Sequence, residues 1–375
     1  MPRLRETCIF TAVNPKPTLT KMKRKSLFMS AILALFGYSS CSSNPWTDLN
    51  PDEFEKEAFQ ANTCIIDVRS ASEYAEGHLY RAVNFDWQKD GFIDEISKKI
   101  DKSLRLAIYC KSGRRSAAAA AALAEAGYKV INLKEGYMSW ADAGKMTNTY
   151  QVESIGNGNE PMYVTLIKHG SLEISYKGYS IQVDPVSGYG KNTDYSKEFP
   201  KADAILITHE HGDHLDKNAI TALSSENTRI IMNAKSQQQS GIGEAMSNGQ
   251  STWLEPVGIA LEAVPAYNTT PGREQFHPKG NGNGYVLGFH GGLKAYIAGD
   301  TEDVPEMADL YVPNNRVTVA FLPVNQPYTM TVEQCVNATK MIKPAILIPY
   351  HFGQTDISGL PDMLPDTKVL LRDMQ

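Results

Sequence analysis

Cysteine is scarce in this sequence, five in 375 residues, and the scarcity excludes a disulfide-built scaffold. Cys8 and Cys41 fall in an N-terminal stretch of different character. The remaining Cys64, Cys110 and Cys335 are odd in number and have no paired spacing. Basic runs are missing from the body of the chain, and 37 Lys and Arg against 42 Asp and Glu leave a formal charge of −5. Neither feature could neutralise a phosphate backbone, so a nucleic-acid role is not expected. The apolar run Ser26 to Phe36 is too short to span a bilayer permanently, which takes about 20 residues. What is present is globular composition, 42% hydrophobic and 21% charged, in a chain long enough for two domains with a core each. That composition excludes disorder and fibrous architecture.

The first forty residues hold seven basic side chains (Arg3, Arg5, Lys16, Lys21, Lys23, Arg24, Lys25) and one acid, Glu6; without them the balance is 30 basic against 41 acidic residues. Lys23-Arg24-Lys25, the apolar run and Gly37-Tyr38-Ser39-Ser40-Cys41 have the order of an export signal read from Met22. Cys41 resembles the lipidated Cys of bacterial lipoproteins, although Tyr38 stands where Leu is usual. The expectation for residues 1–41 is an export signal leading to a periplasmic or cell-envelope protein held to the membrane by a lipid on Cys41. A simple cleaved signal, with Cys41 incidental, is the alternative.

Residues 46–145 alternate between strand and helix signals. Cys64–Val68, Ala107–Tyr109 and Val130–Leu133 read as extended, Ser72–Ala75 and the Ala-rich Ser116–Ala126 as helical, with Gly127 ending the latter. This implies a small parallel α/β sheet. Cys64 opens an apolar strand and Cys335 sits at helical spacing among Val332, Val336 and Ala338, so both belong to cores. Cys110 starts the tight loop Cys110-Lys111-Ser112-Gly113-Arg114-Arg115-Ser116. A helix N-terminus and nearby Arg side chains favour a thiolate there and would cradle an anion carried on it.

Asp67-Val68-Arg69, Glu73-Tyr74, Glu76-Gly77-His78, the loop Cys110 to Ser116, Gly127-Tyr128 and Glu135-Gly136-Tyr137 with Trp140 resemble, in order and spacing, a single-domain rhodanese. The resemblance implies a sulfurtransferase loop in which Cys110 takes sulfane sulfur as a persulfide from a donor and passes it to a thiol acceptor. Arg115 closes the ring five positions after Cys110, one fewer than in related phosphatases, which suits sulfur rather than phosphate. The bland reading is a rhodanese fold kept for binding, with Cys110 idle. His78 is read as structural.

Residues 146–161, with Thr-Asn-Thr and Gly-Asn-Gly-Asn before Pro161, are polar and aperiodic and read as a linker. From 162 to 375, ten short apolar runs with few intervening helices suggest two packed sheets. The strand Ala204–Ile207 ends in Thr208-His209-Glu210-His211-Gly212-Asp213-His214-Leu215-Asp216. In an extended segment His209 and His211 project to the same side, Gly212 permits a sharp turn, and Asp213 and His214 can aim at a second point. Imidazole and carboxylate suit Zn²⁺, and two ions sharing a hydroxide would supply a nucleophile at neutral pH. Completing ligands must come from other strand ends; the candidates are His277, Asp300 and His351. Five of the eight histidines fall in this set, which argues against a scatter of core or solvated side chains. His290 is expected to be exposed.

Asp184-Pro185, the block His209 to Asp216, Gly282-Asn283-Gly284-Tyr285, Gly299-Asp300-Thr301, Leu322-Pro323-Val324, Thr329-Met330-Thr331 and Ile348-Pro349-Tyr350-His351 resemble the metallo-β-lactamase superfamily. The nearest branch is that of metal-dependent hydrolases including ascorbate-6-phosphate lactonase. The resemblance implies an αβ/βα sandwich with His209, His211 and His277 on one ion, Asp213, His214 and His351 on the other, and Asp300 bridging. Related proteins often place the third His where this chain has Asn268, so His277, further along the same loop, takes that role. His169 and Asp184 are expected to stand behind the ligands and orient them; Tyr267, Asn268 and Tyr328 could line the substrate pocket or simply pack.

The whole chain thus reads as an exported hydrolase of a small-molecule ester, lactone, amide or phosphodiester, using hydroxide held by two Zn²⁺, with Fe or Mn as other metals. Asp213 and Cys110 are its candidate catalytic residues, one per domain. Two alternatives use the same motifs. A persulfide dioxygenase would employ one iron on two His and one Asp beside a sulfur-exchanging Cys110. A non-enzymatic lipoprotein would only bind a ligand and sense sulfur species.

Overall fold

The computed structural model describes residues 44–374 except 157 and 159, so the proposed signal and Cys41 lie outside the described residues. The first five-residue apolar runs become the buried strands Thr63–Asp67 and Arg105–Tyr109, parallel neighbours at the centre of a sheet ordered Thr47–Leu49, Lys129–Leu133, Arg105–Tyr109, Thr63–Asp67, Val83–Asn84. The Ala-rich segment forms the helix Arg114–Glu125, which buries Ala119, Ala120 and Leu123 against the sheet. Its small side chains let the helix lie close over the strands that end at Cys110.

The second part is built on two seven-stranded sheets. One runs Glu244–Ala245, Arg229–Met232, Ala204–Ile207, Tyr179–Val183, Ser171–Tyr176, Met162–Lys168, Gln151–Ile155; the other runs Ser251–Leu254, Ile259–Ala266, Gly282–Gly288, Lys294–Ile297, Val319–Pro323, Ile346–Tyr350, Lys368–Val369. Leu172, Ile174, Ile181 and Leu206 of the first pack with Leu261, Tyr285, Ile297 and Phe321 of the second in one core. All ten apolar runs become strands. Glu244–Ala245, Ser251–Leu254 and Lys368–Val369 escaped notice because edge strands need no continuous apolar pattern.

The expected linker is corrected by the structure. Thr147–Asn148 pairs antiparallel with His78–Leu79, and Gln151–Ile155 pairs antiparallel with Met162–Lys168 as the edge of the first seven-stranded sheet. In Gln151–Ile155 only Val152 and Ile155 are buried, so five residues carry too little apolar content to betray a strand. The domains also share a core: Val152 and Tyr163 pack with Cys64, Ile66 and Val68, and Arg81 lies 5.3 Å above the Tyr163 ring. Beside it the buried Glu173 accepts from the Tyr80 hydroxyl, from Ser180 Oγ at 2.7 Å and from Thr165 Oγ1 at 3.1 Å. Burial raises the Glu173 carboxyl above its ordinary value, which these donors oppose. Among the described residues no helix is long and apolar enough to cross a membrane.

Candidate metal centre and cysteine loop

Six residues after the strand Ala204–Ile207 supply the densest part of the centre. The His214 and Leu215 amides both donate to the His211 carbonyl, at 2.9 and 2.8 Å, and this tight turn brings the block back on itself. His209 Nε2 and His211 Nδ1 then lie 3.0 Å apart, facing one point. His277 joins them, and the three form one potential donor group. Asp213, His214 and His351 form another with His169, while Asp300 groups with His209 and His214 between the two.

Asp300 is central and 5% exposed. Its Oδ2 lies 3.3 Å from both His277 Nε2 and His351 Nε2, and its Oδ1 lies 3.4 Å from His214 Nε2. Burial would raise this carboxyl, but His351, His214 and His277 overcome that and hold it well below the usual carboxylate range. Asp213 Oδ2 is 3.1 Å from His169 Nε2 and 3.6 Å from His351 Nε2; against its burial, these two rings likewise keep it low. Burial drives His209, His211 and His169 below the ordinary histidine value, favouring neutral imidazole, the form that binds a metal. His214 differs: burial opposes its charge, but Asp300 and Asp184 raise it well above.

The opposite ring nitrogens are held from behind. His214 Nδ1 meets Asp184 Oδ2 at 2.8 Å, His209 Nδ1 meets Thr208 Oγ1 at 3.0 Å, and His277 Nδ1 donates to the Tyr328 carbonyl at 3.1 Å. Such partners fix which nitrogen faces a metal. Asp184 therefore stands behind His214. His169 is not merely behind the ligands: its Nε2 stands inside the donor group itself. The backbone strains to achieve this, since His169, Asp184 and His351 have φ of 46°, 43° and 46°, a region that non-glycine residues avoid.

The loop that delivers His277 is closed by Asn268. Asn268 N–H donates to the His277 carbonyl at 2.9 Å, and its Nδ2 donates at 2.7 Å to the Tyr328 carbonyl that also holds His277 Nδ1, so these bonds close the loop beside the donor group. Tyr267 instead packs, its hydroxyl 2.9 Å from Glu306. Glu210, which sequence reasoning passed over, is buried and accepts from Asn281 Nδ2 at 3.0 Å and Lys235 Nζ at 2.6 Å. Although burial would raise it, Lys235 and these amides hold it at about 2. Its position between two metal-type histidines was the available signal.

The donor set passes a direct test of fit. Nε2 of His214, His277 and His351 and Oδ1 of Asp300 are buried polar atoms without a hydrogen-bond partner, all turned to the same space. Buried polar atoms are normally paired, so convergent orphans mark a place for an ion.

In the N-terminal domain Cys110 follows the strand Arg105–Tyr109 and is 1% exposed. Among the described residues, no backbone N–H from Lys111 to Ser116 donates to protein, so six successive amides line a loop that can receive an anion. Gly113 has φ +86°, and a side chain there would strike the Lys134 carbonyl at 1.8 Å. Lys111 and Arg114 are exposed at the mouth. Arg115 donates to both carboxylate oxygens of Glu73 at 2.7 Å and also interacts with Cys110. His78 is buried and stacked on Tyr74 at 3.7 Å, a structural role, and His290 is exposed.

Comparison with known proteins agrees with both halves. Residues 50–143 match the rhodanese-like domain model and residues 163–351 match the beta-lactamase superfamily domain model. A UPF0173 metal-dependent hydrolase of Ignicoccus hospitalis is 31% identical over 207 residues, spanning 51% of this chain and 82% of the relative. One from Koribacter versatilis is 29% identical over 213 residues, spanning 54% and 89%. A crystal structure from Parabacteroides distasonis, assigned as a metal-dependent hydrolase, is 51% identical with a TM-score of 0.56, covering 60% of this chain and all of that one. The chain therefore belongs to the metallo-β-lactamase superfamily, among its metal-dependent hydrolases, and carries a rhodanese-like domain on its N-terminal side.

Proposed function

We propose that this protein hydrolyses an ester, lactone, amide or phosphodiester bond of a small molecule with two metal ions, Zn²⁺ by donor chemistry. The observation that carries the reading is the two donor groups meeting at Asp300. His209, His211 and His277 would hold one ion, Asp213, His214 and His351 the other, with Asp300 between them and His169 at the edge of the second. When bound, the ions polarise the scissile bond and make a water nucleophilic near neutral pH. Asp213, whose side chain is 26% exposed against 4% for Asp300, faces the approach of substrate. Its carboxylate would accept a hydrogen bond from the attacking water and orient it, and its lowered basicity suits orientation better than storage of a proton. The donors exceed what one iron on two His and one Asp requires, which favours the dinuclear hydrolase over a persulfide dioxygenase.

The attached domain is proposed to transfer sulfur. A Cys110 thiolate attacks the sulfane sulfur of thiosulfate, the S–S bond breaks, sulfite leaves with the bonding pair, and the resulting persulfide passes its outer sulfur to a thiol acceptor. The unengaged amides of Lys111 to Ser116 support this reading. Lys23-Arg24-Lys25, the apolar run after it and Cys41 support export and a lipid anchor. Elemental analysis of the protein from residue 42 onward tests the hydrolase reading. Near two zinc per chain supports it, near one iron promotes the dioxygenase, and no stoichiometric metal defeats both.

A further inference from the structure

Most large side chains near the donor cluster are buried, but two tyrosines at its rim are not. Tyr189 is 46% exposed and its ring centre lies 4.3 Å from His169, whose Nε2 in turn meets Asp213, the most open carboxylate of the cluster. Tyr328 is 47% exposed and is tied through its carbonyl to His277 at the other donor group. A half-exposed ring against an imidazole contributes little to a core, yet the loop that presents Tyr189 is anchored heavily.

Lys168, 1% exposed, donates from Nζ to the Ser187 carbonyl at 2.9 Å and to the Lys191 carbonyl, gripping both ends of the loop. The Ser187 amide donates to Asp216 Oδ2 at 2.9 Å, and the Thr193 amide donates to the Ser187 carbonyl at 3.0 Å. Thr193 Oγ1 also pairs with the Tyr150 hydroxyl at 2.9 Å, in the segment that follows the strand joined to the rhodanese-like domain. Burying an ammonium group is costly, and here it is spent on two carbonyls of a surface loop. Between the clamped ends Tyr189 is flanked by Gly188 and Gly190, so the ring can adjust while its position is kept.

We propose that Tyr189 is a specificity-determining residue whose ring walls the substrate cleft and selects molecules with a planar or apolar group beside the scissile bond, and that Lys168 is its positioning residue. The proposal rests on the hydrolase reading of the metal centre, and its test separates the two. Zinc-loaded full-length protein is titrated calorimetrically with phenylphosphonate and methylphosphonate. Wild type binds the phenyl compound about tenfold more tightly, the effect of one good aromatic contact. Tyr189→Ala abolishes the preference at unchanged zinc content, and Tyr189→Phe keeps it. Lys168→Met loses it as well; Thr193→Val, a milder loosening of the same loop that spares the fold, reduces it. A wild type without aryl preference, or a preference that survives Tyr189→Ala, overturns the proposal. Absence of stoichiometric zinc overturns the hydrolase reading, whereas stoichiometric zinc with selectivity untouched by Tyr189→Ala overturns this inference alone.

Discussion

His214 Nδ1 lies 2.8 Å from Asp184 Oδ2, and neither side chain has any solvent exposure. Asp184 also accepts from the Thr208 amide and hydroxyl, each at 2.7 Å, so one carboxylate fixes both the tautomer of His214 and the start of the histidine block. Asp184→Asn should lower metal affinity by about 10- to 100-fold, the usual effect of losing such a support. Competition with a chromogenic chelator measures it, and unchanged affinity would remove Asp184 from the centre.

The two chemistries should separate genetically. His211→Ala is expected to abolish hydrolysis and reduce bound metal while thiosulfate:thiol sulfur transfer continues. Cys110→Ser should do the reverse. Retained hydrolysis in the His211 variant would defeat the assignment of the donor group around it.

The Arg115–Glu73 pair predicts a pH dependence. Its hydrogen bond with Arg115 is the main cause holding the Glu73 carboxyl at about 2 against an ordinary 4.5. A value depressed in the folded state stabilises the protein fully above about 4.5, and that contribution is lost as pH falls toward 2. Glu73→Gln should therefore lower Tm by about 2 °C near neutrality. The gap to wild type should close in acid, as scanning calorimetry across that range will show.

The shared core predicts that the domains do not behave independently. Tyr163 belongs to the second domain but is 5% exposed among residues of the first. Tyr163→Ala should cost about 3 kcal/mol, the typical price of emptying an aromatic site. Denaturant unfolding followed by tryptophan fluorescence and by metal release should show both transitions shifting together; a shift in only one would mean that the interface is weak.

What could be read directly was local in sequence. The loop Cys110 to Ser116 and the block His209 to Asp216 each carry their chemistry within a few consecutive residues, where bond lengths alone keep the groups close. Asp300 and His351 were also legible, because a ligand following an apolar strand must emerge at a sheet edge. The rest depended on how distant segments meet. His277 reaches the donor group from a loop that Asn268 closes, His169 enters the donor group through a strained turn, and Glu210 is held by amides from 281 and 233. The strand at Gln151–Ile155 stayed hidden because only Val152 and Ile155 of its five residues are buried. The amino-acid order by itself determined which groups are available and where each strand delivers them. Only the tertiary structure decided which of them converge, because that depends on the pairing of two sheets and on the turns between strands, whose energies are not written in any single stretch of the chain.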